Sequence, residues 1–155
     1  MTPNARLLTS ALLIAFWGGA AILTISIVTP AAFAVLPTRT LAGALVGRVL
    51  PALFLSGIIV GASAAVLAVQ AGSRGAAIAA AVATVACAIA QFVINPRIAR
   101  MRDEIGVPID ALPLGDARRV AFGLLHGYSV GGLMVAMLAA AVSLGYVLFA
   151  LRSRT

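Results

Sequence analysis

The polar side chains that could do chemistry are few, and they interrupt otherwise apolar sequence. His126 is the only histidine, and Gln91, Asn95 and Ser129 are the nearest polar candidates by depth in their segments. An ionisable group within an apolar helix is expensive and normally faces the interior of a bundle. A neutral imidazole binds metals and exchanges protons near neutral pH. These residues predict a site around His126 that binds or passes a small ligand, ion or metal, with a histidine that only hydrogen-bonds two helices together as the structural alternative.

Further residues at the same depth could complete that site. Thr29, Arg48 and Arg97 lie near the same helix ends. Proline removes a backbone donor and leaves a carbonyl free inside a helix, so the prolines at 30, 51 and 96 predict kinks. Freed carbonyls could bind a cation, or they could be satisfied by water and nearby hydroxyls. The predicted ligand-binding set is His126, Gln91, Asn95, Arg97, Arg48, Thr29 and Ser129, and the predicted kinks are Pro30, Pro51 and Pro96.

A haem or copper redox centre is the main alternative chemistry, with His126 as the candidate metal ligand. It would use His126 with Met137, or with a histidine of a partner chain. Eleven residues place His126 and Met137 on one helix face, but a rise of ~16 Å separates them. The apolar segments contain no carboxylate pair, and the chain has no phosphate-binding loop. An enzyme is therefore less expected than a binding protein.

The composition predicts a membrane protein whose apolar surface faces lipid. Hydrophobic residues make up 63% of the 155 residues, against ~45–50% in an average soluble domain. Four stretches without charge, at 7–38, 49–73, 75–96 and 120–151, are each long enough for a spanning helix of ~20 residues. No alternating pattern of a barrel is present. The sequence predicts an all-α polytopic membrane protein, a bundle of four transmembrane helices.

The boundaries follow from turn residues and charges. We expect a single integral membrane domain, 1–155, with helices at about 7–36, 41–70, 76–102 and 117–151. The first apolar run is too long for a secretory signal, whose apolar region has about 7–15 residues, so it is predicted to be retained. Thr38 or Thr40 can cap the second helix and Asp116 the fourth.

Glycines at helical spacing predict close helix packing. Small residues four apart let two helix backbones approach each other. A ridge of this kind on the fourth helix could also dock a second copy, and the third hypothesis is a structural or assembly subunit, including a homo-oligomer. The predicted packing glycines are Gly18, Gly19, Gly57, Gly61, Gly123, Gly127 and Gly131.

The charge balance points to lipid headgroups. Eleven basic residues, all arginine, against four acids give a net charge of +7. Because most arginines flank apolar runs, the expected partners are the bilayer and its anionic headgroups, and nucleic acid is not expected. Seven arginines flank one set of helix ends and four, including Arg154, the other. The basic side of such a protein faces the cytoplasm, so we expect a bacterial cytoplasmic membrane protein with both termini outside.

Four segments in this order resemble one known family. They are Phe16-Trp17-Gly18-Gly19 with Thr29 to Phe33, Gly43 to Phe54, Asn95 to Arg97 with Arg100 to Asp103, and Phe122 to Ser129. Together they are similar to the transmembrane protein 205-like family, also described as domain of unknown function 4149. The resemblance implies a four-helix integral membrane protein with no agreed activity.

The chain departs from that family's pattern in two places. Leu50 and Leu53 stand where aromatic residues are usual, and Leu133 stands where an asparagine is expected seven residues after the histidine. The pattern also resembles, more remotely, the copper-resistance D and haem-binding oxidase membrane proteins. Those proteins use more histidines than the one present here.

Overall fold

Four long helical spans make up the protein. The computed structural model describes residues 1–153, so Arg154, which entered the arginine count, lies outside the described residues. Each span is long and apolar enough to cross a membrane, and no strand occurs among residues 1–153. The predicted all-α, four-helix membrane bundle is confirmed. The spans are Pro3–Val35, Arg39–Gln70, Arg74–Ile105 and Ala117–Arg152.

Two of the spans are interrupted by a π-helical turn. The first span consists of α1 (Pro3–Leu23), a first π-turn (Thr24–Val28) and α2 (Thr29–Val35). The second span is the continuous helix α3 (Arg39–Gln70). The third consists of α4 (Arg74–Ile89), a second π-turn (Ala90–Ile94) and α5 (Asn95–Ile105). A 3₁₀ turn (Ile109–Ala111) leads to the fourth span, α6 (Ala117–Arg152).

Side-chain caps fix where the helices begin. The Thr38 hydroxyl accepts from the Leu41 N–H at 3.2 Å, so Thr38 rather than Thr40 caps α3. The Asp116 carboxylate accepts from the Arg118 N–H at 2.8 Å and caps α6. Gly106 ends α5 with φ of 65°, a left-handed conformation that a residue without Cβ adopts freely.

The tightest packing lies where α1, α3 and α4 cross. A Cβ atom added to Gly57 would lie 2.7 Å from the Cys87 sulfur and 2.8 Å from Cζ2 of Trp17. One turn later, a Cβ at Gly61 would meet Thr84 and would lie 3.2 Å from the Ala80 carbonyl oxygen. The two missing side chains therefore allow α3 to approach its neighbours. Among residues 1–153, no atom of another helix lies within 4 Å of such a Cβ at the other five predicted packing glycines, which are Gly18, Gly19, Gly123, Gly127 and Gly131.

Hydrogen bonds between helices reinforce one end of the bundle, which we call the closed end. Leu7, Ala68, Ala76 and Val147 are buried together there. The Ser143 hydroxyl donates to the Ala76 carbonyl at 2.9 Å, which joins α6 to α4. A hydrogen bond of this kind between helices contributes about 1 kcal/mol to the stability of a membrane protein.

Proline accounts for the position of both π-turns. Pro30 and Pro96 are the second residues of α2 and α5, and each follows a π-turn directly. The residue before each proline donates its N–H five residues back, from Thr29 to Thr24 and from Asn95 to Ala90. A proline cannot donate and its ring crowds the preceding turn, so the helix widens there. Pro51, by contrast, lies inside α3, which stays α-helical on both sides.

Beyond the π-turns, the bundle divides into two helix pairs at the arginine-rich end, which we call the open end. α2 packs on the start of α3, where Ala32, Ala42 and Val46 form a small core. α5 packs on the start of α6. Within residues 1–153, α2 has no extensive packing on α6, and α5 has none on α3. The two pairs are therefore less tightly joined than the same helices at the closed end.

Candidate functional site

Gln91 and Asn95 form one polar unit on the third span. The Asn95 amide donates to the Gln91 side-chain oxygen at 3.2 Å, and both side chains are half-buried. Gln91 belongs to the second π-turn and Asn95 begins α5. This one bond leaves Gln91 with two N–H donors and one oxygen lone pair, and Asn95 with one N–H donor and both oxygen lone pairs, for another group. The pair therefore presents unused hydrogen-bonding capacity towards the open end.

Ser129 lies at nearly the same level on α6. A Cβ added to Gly132 would lie 3.5 Å from the Ala90 Cβ, which sets the register of the two antiparallel spans. Ser129 is one turn from Gly132 and Gln91 is next to Ala90, both in the direction of the open end. Its hydroxyl is buried and has no hydrogen-bond partner among the described residues. The structure therefore places an unsatisfied hydroxyl in the layer of the Gln91–Asn95 pair.

The Ser129 hydroxyl differs from the other buried hydroxyls of the spans. Ser10 donates to the Ala64 carbonyl, Thr24 to the Ala20 carbonyl and Ser143 to the Ala76 carbonyl. A buried hydroxyl without a partner destabilises a fold by about 1–3 kcal/mol. The polar layer, defined as Gln91, Asn95 and Ser129, is therefore the part of the bundle that a ligand with hydrogen-bonding groups would complete.

His126 lies on the outer surface of α6 and not in the bundle interior, contrary to expectation. Leu133, Ala140 and Val147 follow it at intervals of seven residues and are all buried, so His126 is in the register of the core. It is nevertheless exposed because α2, which would have to cover it, packs on α3 instead. At this level the first span packs on α3 and not on α6.

The two predicted arginines also lie outside the polar layer. Arg48 is exposed on α3. Arg97 is exposed and lines a shallow surface groove between α5 and α6 with Arg100, Met101, Glu104 and Leu125. Thr29 is half-buried at the start of α2. The structure therefore brings Gln91, Asn95 and Ser129 to one layer, and among residues 1–153 no hydrogen bond joins any of them to Arg48, Arg97 or His126.

Arg102 is the residue that sequence reasoning missed. It belongs to the last turn of α5, and its guanidinium lies 5.9 Å from the centre of the Phe122 ring on α6. Both terminal nitrogens lie 3.9 Å from the position of a Cβ on Gly47 of α3. Arg102 therefore reaches across the gap between the two helix pairs. The available signal was its spacing of seven residues from Asn95, which places both on one face of α5.

All four acids lie in the third connection, residues 97–119, and two of them, Asp110 and Asp116, have partners other than Arg102. Asp116 forms an ion pair with Arg118 at 2.8 Å. The side-chain and backbone hydrogen bonds from Arg118 lower the pKa of Asp116 from 3.8 to about 2. Asp110 accepts from the Thr40 hydroxyl at 3.3 Å, which ties the connection to α3. Neither of these carboxylates pairs with Arg102, and within residues 1–153 Arg102 forms no ion pair.

The soft metal ligands do not converge. Cys87 is fully buried against Gly57, and Met137 packs against the same apolar core. His126 is exposed at the other end of α6. Among residues 1–153, no three His, Cys, Asp or Glu side chains are grouped so that they could hold a metal ion. The arrangement of donors within this chain does not fit a redox metal centre built on His126 and Met137.

Comparison with known proteins gives one match. The family model for domain of unknown function 4149 matches residues 12–106, which is more than half of the chain and extends from α1 to Gly106 at the end of α5. No curated protein and no solved structure matches the chain. Since the matched region covers most of the first apolar span, all of the second and third, and the Gln91–Asn95 pair, the chain belongs to the family of domain of unknown function 4149.

Proposed function

We propose that this membrane protein binds a small ligand with hydrogen-bonding groups in the polar layer, and that the ligand enters from the open end. The observation that carries the proposal is the buried, unpartnered Ser129 hydroxyl at the level of the Gln91–Asn95 pair. Three side chains from two spans offer donors and acceptors there. A few convergent polar groups among apolar side chains are typical of small-molecule sites.

The open end supports an entry path. α2 and α5 diverge from the opposite helix pair after the π-turns, while the closed end is held by bonds such as Ser143 to Ala76. Irregular backbone at membrane depth commonly lines a cavity or pathway. The polar layer lies at the boundary between the two halves. A ligand bound there would contact both spans that carry the layer.

Native mass spectrometry of the full-length protein, released gently from its own membranes, tests the proposal. We expect the wild-type protein to carry a small-molecule adduct whose occupancy falls about ten-fold in Ser129→Ala and in Gln91→Leu, since each loses a hydrogen bond that the buried site cannot replace. Ser143→Ala is the matched control because its hydroxyl bonds a protein carbonyl at the closed end. An adduct that survives both variants, or a wild type that carries none, contradicts the proposal.

A second candidate role is assembly through the outer face of α6. Gly123, Gly127 and Gly131 have no neighbour within 4 Å of an added Cβ, and the core-register His126 beside them is uncovered. A second copy could bury this face. Mass measurement in nanodiscs tests it: Gly127→Leu should convert an oligomer to a monomer, and a wild-type protein that is already monomeric rules this role out.

A further inference from the structure

The Arg102 guanidinium, which forms no ion pair within residues 1–153, lies at the open end and outside the polar layer. It lies between Gly47 of α3 and Phe122 of α6, although Arg102 itself belongs to α5. Within residues 1–153 it forms no ion pair, and its contact with the Phe122 ring is a cation–π contact at 5.9 Å, which supplies no hydrogen-bond acceptor for its N–H groups. We propose that Arg102 is the anion-binding group of the open end and that the ligand carries a phosphate or carboxylate group.

The charges around Arg102 favour an external anion over an internal partner. Asp103 and Glu104 follow Arg102 on α5, so they are turned by about 100° and 200° from it around the helix. Asp116 is held by Arg118, and Asp110 accepts from Thr40. No acid of the third connection therefore neutralises Arg102 in the described structure.

The geometry suits bidentate recognition. A guanidinium presents a planar fork of N–H donors that matches a carboxylate or phosphate better than an ammonium would. Phe122 supports one face of the group, and Gly47 leaves the space beside both terminal nitrogens open. Asn95, which belongs to the polar layer, lies on the same face of α5 as Arg102, two turns away. An anionic group at Arg102 would thus let the rest of the same ligand reach Asn95.

This inference rests on the proposed function for the remainder of the ligand, but it can be tested separately. The probe is the reaction of a thiol placed at Gly47, where a Cβ would meet only the Arg102 terminal nitrogens at 3.9 Å. The full-length Gly47→Cys protein is prepared with Cys87→Ala, which removes the only native thiol. In nanodiscs of zwitterionic lipid, its reaction rates with a sulfonate-bearing and a trimethylammonium-bearing methanethiosulfonate are compared.

The ratio of the two rates reports the local charge, since the reactivity of the thiol itself cancels. We expect the anionic reagent to be favoured, and Arg102→Gln to lower the ratio by about four-fold or more, as Coulomb's law gives for one charge within ~10 Å. Arg102→Lys, which keeps the charge, should retain most of the preference. Arg100→Gln is the matched control: Arg100 and Arg102 are both exposed on α5, but Arg100 lines the outer groove and only Arg102 lies beside Gly47. An equal effect of Arg100→Gln and Arg102→Gln, or none from either, overturns the inference.

Two sources of the anion can be separated with the same reporter. If the ligand is a soluble anion, inorganic phosphate at millimolar concentration should slow the anionic reagent in the presence of Arg102 and not in Arg102→Gln. If it is a lipid headgroup, nanodiscs containing phosphatidylglycerol should give that protection without phosphate. Protection by neither contradicts the inference. A lost adduct in Ser129→Ala together with an unchanged rate ratio in Arg102→Gln would leave the polar-layer proposal standing and remove only this one.

Discussion

Gly57 is the residue at which α1, α3 and α4 pack against one another. The space that a side chain of Gly57 would need is filled by the Trp17 ring from α1 and the Cys87 sulfur from α4. Trp17 also donates its indole N–H to the Leu53 carbonyl at 3.0 Å, so the ring cannot move aside without losing that bond. The absence of a side chain at Gly57 therefore lets these three spans pack closely at one point.

Gly57→Ala should destabilise the protein by about 1–3 kcal/mol, the usual penalty for inserting an atom into a filled core. The added Cβ would lie 2.7 Å from the Cys87 sulfur and 2.8 Å from the Trp17 ring. Thermal or denaturant unfolding in detergent measures the effect. Gly19→Ala is the control, since no atom lies within 4 Å of its Cβ position, and it should change stability by less than about 0.5 kcal/mol. Equal effects of the two substitutions would contradict this packing argument.

At the scale of elements, the two π-turns are what separates the halves of the bundle. Each stands directly before a residue–proline pair, Thr29-Pro30 or Asn95-Pro96, and each is followed by a short α-helix that packs on only one neighbour. Pro51 shows that a proline alone is insufficient, because α3 continues through it as an α-helix. The widened turn redirects the helix, and the polar layer lies where that happens.

Protonation of Asp116, which caps the start of α6, should make the stability of the fold depend on pH in acid. The bonds from Arg118 lower the pKa of Asp116 from 3.8 to about 2, so ionised Asp116 stabilises the fold above about pH 4, and this contribution is lost as the pH falls towards 2. The melting temperature of the wild-type protein should therefore decrease between pH 4 and pH 2, and Asp116→Asn should reduce that decrease. Asp103→Asn, which removes a carboxylate of the same connection without touching the cap, is the comparison. Identical pH profiles for wild type and Asp116→Asn would show that the cap does not contribute.

The two ends of the molecule differ in packing: the helices are packed more tightly at the closed end than at the open end. Buried residues from all four spans meet at the closed end and in the central core, whereas the pair formed by α2 and α3 keeps its own small core at the open end. Regions with few buried contacts open at lower free energy than the global unfolding reaction. Local opening should therefore be confined to one membrane face.

Hydrogen–deuterium exchange in nanodiscs should show this gradient along the spans. We expect amides of α2, α5 and the first turns of α6 to exchange before those of α4 and the last turns of α6, which are held by the Ser143–Ala76 bond and the Val147 core. The closed half supplies the internal reference within each sample. Uniform protection along α6 would show that the two halves open together.

Much of the fold could be predicted from composition alone, because ~20 apolar residues in a row have few other structures available in lipid. The Gln91–Asn95 pair was also accessible, since residues four apart share a helix face. The exposure of His126 was not, because its register is correct and only the divergence of α2 uncovers it. The role of Arg102 depends on the same divergence, which follows from backbone hydrogen bonds that hydropathy does not encode.

The crossing at Gly57 gives the protein a built-in optical probe. Trp17 is the only tryptophan in the chain, and its buried, hydrogen-bonded indole lies in the half of the bundle that holds together. Its emission should be blue-shifted and should move to the red only when α1, α3 and α4 come apart. Events at Arg102 should leave it unchanged, so fluorescence distinguishes loss of the fold from occupation of the site in the same cuvette.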